Sequence, residues 1–289
     1  MEVKKICSVG AGVMGSQIAQ LAAMSGYNVS MFDIEDRFVR GGLNAIKGNL
    51  QKFFVEKGKM TQEEANALLG KIKGTTDLKE AVKGVQVVIE SIPENLGLKQ
   101  RTFKELDEIC APETILASNT STFRITAIGS LTKRQDKVVG MHFFNPVARM
   151  RLVEIVRGAK TSDETLEVIK SLAVKLGREL IVVKDSPAFI ANRILHVIHL
   201  EAAKMLEDGI ASVEDIDKAC TLGLGHAVGP FTAVDMTNSM GIAVELGDYL
   251  AVELGERYRA TSLIKKKALA GELGRAAGKG YYDYTQQQQ

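Results

Sequence analysis

Apolar positions change period repeatedly along the first two thirds of the chain. Residues 3–9, Val-Lys-Lys-Ile-Cys-Ser-Val, make a short β-favouring run that stops at Gly10, and Val13 to Met24 carries apolar residues at helical spacing. A second β-type run, Asn28 to Phe32, ends at Asp33. Strand, glycine turn, helix and strand within about 30 residues predict a βαβ unit, because parallel strands need a crossover between them. Further β-type runs occur at Val85–Glu90, Thr114–Ala117, Val138–His142, Leu152–Val156 and Leu180–Val183, most separated by helical stretches. The pattern predicts a doubly wound α/β sheet.

Two segments break the alternation. Residues 35–73 read as an inserted, charged helical hairpin interrupted near Gly58, with Thr61 and Glu64 placed to cap its second arm. After Asp185 the β-type runs cease. Ser186 and Pro187 read as an N-cap and first helical residue, and Ala188 to Leu206 as one long amphipathic helix. Ser212-Val213-Glu214-Asp215 resembles another helix start, and Gly223, Gly225, Gly229 and Pro230 punctuate the stretch beyond it. The expected boundaries are a sheet domain over 1–184 and an all-α domain over 185–289.

The first turn carries chemistry. Gly10-Ala11-Gly12-Val13-Met14-Gly15 is G-x-G-x-x-G between a strand and a helix, with Asp33 ending the second strand. Gly10 permits the turn, Gly12 lets a pyrophosphate approach the backbone, Gly15 allows close helix–strand packing, and the helix start offers free amides. Strand, helix, second strand and acid all fall at the required offsets, so the domain is read as a Rossmann-type dinucleotide fold. Gly10, Gly12, Met14, Gly15 and Asp33 are its expected cofactor contacts. A carboxylate at Asp33 accepts from ribose hydroxyls and repels a 2′-phosphate, which favours NAD over NADP; Arg37 and Arg40 nearby pull slightly the other way.

Composition narrows the classes. The 289 residues are 45% hydrophobic and 25% charged, and 37 basic against 35 acidic residues leave a net charge of +2. No global field points to nucleic acid or a membrane surface, and no apolar run is long enough to span a bilayer. Cys7, Cys110 and Cys220 are odd in number and widely spaced, against a disulfide framework or a zinc site. His196 and His199 are spaced i,i+3 but lack completing ligands, so surface or interface histidines are expected and no metal. With the glycine motif so near Met1, a cytoplasmic location is expected. No function is assigned to the tail Gln286 to Gln289.

A histidine and a glutamate stand out. His142 ends a β-type run, where ligand-facing residues of such sheets collect, and Glu154 interrupts the apolar sequence Leu152-Val153-Glu154-Ile155-Val156. A carboxylate inside a short apolar strand is unfavourable unless paired. A His–carboxylate pair can move a hydroxyl proton near neutral pH. On these residues alone, a core histidine and a solvent-facing edge glutamate are equally compatible.

Ser118-Asn119-Thr120-Ser121, His142-Phe143-Phe144-Asn145-Pro146, Leu152-Val153-Glu154, Asn192-Arg193 and Gly278-Lys279-Gly280-Tyr281-Tyr282 occur in one order. This order resembles the L-3-hydroxyacyl-CoA dehydrogenase family, on its bacterial short-chain 3-hydroxybutyryl-CoA side, over nearly the whole chain. The resemblance implies reversible NAD-dependent oxidation of a short-chain (S)-3-hydroxyacyl-CoA. It gives His142 the general acid–base role with Glu154 as partner, puts Ser121 and Asn192 on the substrate oxygen, and lays Glu94, Lys99, Asn119 and Asn145 along the nicotinamide ribose. Asn192, read as well inside its helix where Asn is mildly unfavourable, adds a weak independent hint of function. The resemblance also implies a homodimer through the helical domain and brings coenzyme A phosphates near the hairpin lysines Lys47, Lys52, Lys57 and Lys59, of which Lys52 and Lys57 are the chosen candidates.

The sequence departs from the family at Ala188, Thr122, Ala148 and Ala227, at Val234 to Met240, and in the cations Arg124 and Arg149 close to the expected site. For Arg149 a solvated side chain is favoured over a contact with a coenzyme A phosphate or an acyl carboxylate. A dehydrogenase with a lysine in a Gly-rich helix fits poorly, since Lys204 has no glycine near it, and no Tyr-x-x-x-Lys occurs. The remaining alternative is a non-catalytic NAD-binding structural or sensor protein on the same fold.

Overall fold

The computed structural model describes residues 1–285, and the glutamine tail 286–289 lies outside them. Two compact units divide the chain, Met1–Phe189 and Ile190–Gln289.

The first unit is built on eight strands: β1 (Lys5–Val9), β2 (Asn28–Phe32), β3 (Ile72–Thr75), β4 (Val87–Glu90), β5 (Ile115–Ser118), β6 (Val138–Phe143), β7 (Leu152–Arg157) and β8 (Glu179–Lys184). They lie in the order β3-β2-β1-β4-β5-β6-β7-β8. Strands β1 to β6 are all parallel, β7 runs antiparallel to β6, and β8 pairs with β7 in parallel. The chain reverses its direction of travel across the sheet between β1 and β4, so their carboxyl ends flank a crevice of the kind where such sheets take ligands.

Strand residues alternate between two cores. Ile6, Val29, Met31, Val87 and Ile89 face one side, where helices α1 (Val13–Met24), α2 (Asp36–Leu50) and α3 (Gln62–Gly70) contribute Ile18, Ile46 and Leu68. Cys7, Val9, Val88 and Leu116 face the other, with Ala81 of α4 (Leu78–Ala81), Phe103 and Leu106 of α5 (Leu96–Ile109) and Ile125 and Ile128 of α6 (Ile125–Ile128). Helix α7 (Asp163–Lys175) returns to the first side with Ile169 and Leu172. Burial on both faces is why these strands read as near-continuous apolar runs.

The inserted hairpin is present but shorter than 35–73. Its first arm, α2, continues as a π-helical turn over Gln51–Val55, Gly58 takes a φ of 64°, and Thr61 and Glu64 close a reciprocal capping box on α3. Ile72–Thr75 is strand, paired with β2. Only Ile72 of that edge strand is buried, so no apolar run announces it.

The second unit holds α8 (Ala191–Glu207), α9 (Val213–Lys218), α10 (Pro230–Thr237), α11 (Met240–Leu254) and α12 (Ser262–Leu269) around Leu200, Ala203, Phe231, Met240 and Ile264. The expected helix start at Ser186-Pro187 is wrong. Ala188 and Phe189 occupy the left-handed region at φ 56° and 52°, which no α-helix accommodates, and the Ala188 amide donates instead to the Thr122 carbonyl at 2.9 Å. Asn192 therefore lies in the first turn of α8, where Asn carries little penalty, and the hint drawn from a mid-helix position lapses.

Two buried carboxylates organise this unit. Asp217 accepts from the Phe231 and Thr232 amides, each at 2.9 Å, and from the Tyr282 hydroxyl at 3.0 Å. Asp235, fully enclosed, accepts from the Tyr281 and Tyr282 amides at 3.0 and 2.9 Å. A Cβ at Gly280 would fall 2.0 Å from the Asp235 Oδ1, which explains a glycine in the Gly278 to Tyr282 motif.

His196 and His199 are core residues, not surface ones. They are 4% and 2% exposed, with Nε2 of His196 2.8 Å from the Tyr258 carbonyl oxygen and Nε2 of His199 2.8 Å from the Tyr281 hydroxyl. Desolvation, and then the neighbouring His196, push His199 down from 6.5 to about 4. The unfolded chain therefore binds a proton below pH 6.5 that the folded chain refuses until about 4. The contribution of His199 to stability is complete above pH 6.5 and is lost progressively as pH falls toward 4. The loss should be on the order of 3 kcal/mol. Urea unfolding of His199→Gln should give a flatter stability profile across that window; a profile as steep as the parent's would refute the assignment.

Candidate active site

The glycine turn is dictated by backbone contacts. Gly10 has φ 102°, and a Cβ there would stand 2.6 Å from the Ser91 carbonyl oxygen; at Gly15 it would stand 1.8 Å from the Gly10 oxygen. Gly12 is different, since a Cβ there would meet nothing within 4 Å. That open side faces out from the N-cap of α1, which has no side-chain cap, so the first-turn amides are left to an anion. The Ser91 Oγ, at the end of β4, is buried and has no hydrogen-bond partner among the described residues. An open cradle, uncapped amides and an orphaned hydroxyl fit the pyrophosphate and ribose of a dinucleotide.

Asp33 accepts from the Ala11 amide at 2.7 Å and the Ile34 amide at 2.8 Å, which fixes its carboxylate beside the turn. Arg37 pairs with Glu35 at 2.9 Å and Arg40 with Asp36 at 2.6 Å. Both cations that could have welcomed a 2′-phosphate thus have acidic neighbours, although such exposed pairs are weak.

His142 and Glu154 are register partners across β6 and β7. Side chains of directly opposed residues leave the same face of an antiparallel pair, and here they meet with His142 Nδ1 2.7 Å from Glu154 Oε2. Glu154 is 0% exposed and His142 4%. A carboxylate only accepts, so Nδ1 is the donor in this contact, and the neutral form of the ring then presents its lone pair at Nε2. The imidazole is flanked by the rings of Phe144, with centroids 4.5 Å apart, and of Phe189 at 5.8 Å.

Ser121 reaches the same end of the sheet. Ser118 and Gly140 are register partners on adjacent β5 and β6, so Ser121 and His142 lie three and two residues beyond a shared rung. Asn119 accepts from the Phe143 amide at 2.8 Å and ties the two strand ends together. Asn145 accepts from Gln17 at 3.1 Å; Gln17 in turn takes the Val147 amide at 2.7 Å, anchoring the turn between β6 and β7 to α1. Arg178 donates to the Val147 and Met150 carbonyls of that turn, while Arg149 on it is exposed. Arg124 is half-buried and donates to the Asp185 carbonyl, a structural link. Asn192 belongs to the second unit, half-buried in α8. Lys52 and Lys57 are exposed at the hairpin tip, Lys52 with its ammonium 5.6 Å from the Phe53 ring centre.

The Lys99 ammonium is 1% exposed and held by Glu90 at 2.7 Å and Glu94 at 3.1 Å. Burial works against its charge, but the two carboxylates together outweigh burial and raise its pKa above the ordinary lysine value. Sequence reasoning misses Glu90. Its signal is nevertheless there, a carboxylate closing the apolar run Val87-Val88-Ile89-Glu90, the same anomaly that singles out Glu154.

Both units resemble known proteins. The model of the NAD-binding domain of 3-hydroxyacyl-CoA dehydrogenase matches residues 5–186, and that of its C-terminal domain matches residues 189–284. A probable 3-hydroxybutyryl-CoA dehydrogenase of Bacillus subtilis is 41% identical over 99% of both chains. The 3-hydroxybutyryl-CoA dehydrogenase of Clostridioides difficile is 38% identical over 97% of this chain and 99% of its own. Among solved structures, the (S)-3-hydroxybutyryl-CoA dehydrogenase of Ralstonia eutropha superposes with a TM-score of 0.93 at 39% identity, covering 98% of this chain and 99% of that one.

Because the Asp33 carboxylate is fixed beside the glycine turn at the end of β2, where it would repel a 2′-phosphate, NADH should support turnover at least about tenfold more efficiently than NADPH. Comparable kcat/KM values for the two would contradict this and shift attention to Arg37 and Arg40.

Proposed function

The chain belongs to the 3-hydroxyacyl-CoA dehydrogenase family, and on that premise we propose that His142, held by Glu154, is the acid–base group in its NAD-dependent oxidation of a 3-hydroxyacyl-CoA. The observation that carries this reading is the 2.7 Å contact between His142 Nδ1 and a fully buried Glu154 carboxylate. Short-chain substrates, 3-hydroxybutyryl-CoA and acetoacetyl-CoA, are the proposed pair, after the names of the relatives.

In oxidation, Nε2 of His142 takes the proton of the substrate 3-hydroxyl, and Glu154 stabilises the imidazolium that forms. Bound NAD supplies the two-electron acceptor. Ser121 and Asn192 hold the substrate oxygen in line; in reduction the same two groups polarise the ketone and His142 returns the proton. The aromatic rings of Phe144 and Phe189 limit water around the imidazole. Gly10, Gly12, Met14, Gly15 and Asp33 bind the dinucleotide, with Asn119 and Asn145 toward its nicotinamide half. Lys52 and Lys57 contribute to the coenzyme A phosphates through charge and through their exposed place on the hairpin.

The second unit leaves Ile194, Leu195, Leu222, Leu224, Ile242 and Val252 at least 48% exposed. So much apolar surface on one small helical unit favours a homodimer through that unit. Sedimentation equilibrium should return twice the mass of one chain; a monomer at micromolar concentration would contradict it.

Monitored by NADH absorbance with acetoacetyl-CoA, His142→Gln should lower kcat by roughly a hundredfold or more, the usual scale for losing a positioned acid–base group. Glu154→Gln should cost less, since the imidazole keeps a hydrogen bond but loses its charged partner. Unchanged turnover in either variant would remove the pair from the chemistry.

A further inference from the structure

We infer that Gln17 is a positioning residue that turns the Asn145 side chain so that its NH2 group, not its carbonyl, faces the nicotinamide half of the cofactor. This role rests on the reading of Asn145 as a contact on that half.

Donor and acceptor chemistry fixes the two amides in turn. Val147 is buried, and its backbone N–H donates to Gln17 Oε1 at 2.7 Å. A backbone N–H only donates, so the Gln17 atom facing it must be the oxygen. The other branch of the same amide, Nε2, is then the donor that reaches Asn145 at 3.1 Å. Only an oxygen can receive it. Asn145 therefore presents Oδ1 to Gln17, and its Nδ2 lies on the opposite branch of the amide. Asn145 is exposed, and Nδ2 has no hydrogen-bond partner among the described residues. Two N–H donors are thereby free for an acceptor oxygen of the nicotinamide or its ribose.

The link joins two parts of the cofactor crevice. Gln17 lies on α1, two residues after Gly15, on the helix whose uncapped start serves the pyrophosphate. Asn145 and Val147 are 128 and 130 residues further on, in the turn that follows β6 and His142. Arg178 holds the same turn through the Val147 and Met150 carbonyls at 2.9 and 3.0 Å. With its amide and its carbonyls both held, the turn keeps its place, and the rotation of the Asn145 amide is what remains to be set. A half-turn about the last bond of an asparagine exchanges a donor for an acceptor with almost no change of shape, so sterics cannot choose between the two. The hydrogen bond from Gln17 makes the choice.

Gln17→Glu separates this orientation from mere anchoring. A carboxylate at position 17 still accepts from the Val147 amide, so the turn stays tied, but its second oxygen can only accept and so reverses the Asn145 amide. The test uses the full-length enzyme and reads the Kd of NADH by fluorescence titration and the Kd of ADP by calorimetry, ADP having both phosphates but no nicotinamide half. Gln17→Glu should raise the Kd of NADH about fivefold or more, the scale of one lost hydrogen bond, and leave the Kd of ADP within about twofold. Asn145→Asp, which still accepts from Gln17 but has no N–H, should give a loss of similar size. Gln17→Ala, which leaves the amide free to rotate, should fall between the parent and Gln17→Glu. In an Asn145→Ala background Gln17→Glu should cost almost nothing further. An unchanged Kd of NADH in Gln17→Glu, or an equal rise for NADH and ADP, would overturn the inference. A larger loss in Gln17→Ala than in Gln17→Glu would reduce Gln17 to an anchor of the turn and overturn it as well. Parent affinity for NADH in Asn145→Ala would instead overturn the reading of Asn145, and the role of Gln17 with it.

Discussion

A carboxylate sealed inside a protein must be given partners, because an isolated buried charge is destabilising by several kcal/mol. In this chain that constraint shapes both units. Glu154, 0% exposed between β7 and its neighbours, meets His142 directly across the antiparallel rung. The register of β6 against β7 is therefore also the geometry of the proposed acid–base pair: slipping it by one residue would turn one side chain to the opposite face and leave the other unpaired. The reversal of strand direction at β7, which β8 follows, brings these two residues, twelve apart in sequence, to bonding distance.

The same logic recurs with different partners. Glu90 takes the Lys99 ammonium, the Ser118 hydroxyl and the Ile92 amide, and so closes β4 onto β5. Asp217 and Asp235 take backbone amides and tyrosine hydroxyls, and so fasten the chain end to the helical core. In each case hydrogen bonds to the charged form offset its desolvation and leave the segment with one conformation. Where conformational precision is needed at the sheet's carboxyl edge, the structure uses charge; where the helices meet the sheet, it uses apolar contact.

Much of this was legible in the sequence because the signals were local. Short apolar runs marked seven of the eight strands, and the glycine turn with Asp33 marked the dinucleotide crevice. Glu154 was visible as an anomaly, a charge within an apolar strand, although its partner became definite only with the register. The misreadings have physical causes. The edge strand β3 buries one side chain, so it leaves no pattern. Ala188 and Phe189 adopt left-handed backbone conformations usually reserved for glycine or asparagine, so Ser186-Pro187 imitated a helix start. His196 and His199 looked like surface residues because polarity in a helix does not reveal that a backbone carbonyl and a tyrosine hydroxyl await them. The ion pairs of Lys99 were not legible because its two acidic partners lie nine and five residues before it, on the far side of a turn.

The central claim is that buried Glu154 fixes His142 in the tautomer that leaves Nε2 unprotonated toward the substrate. Nitrogen-15 NMR of the imidazole side chains reads this directly, and with four histidines in the chain the His142 signals can be assigned by their disappearance in a His142 variant. The account predicts that at neutral pH the neutral ring carries its proton on Nδ1, and that Glu154→Gln weakens this preference. A His142 ring protonated on Nε2 in the parent enzyme would contradict it.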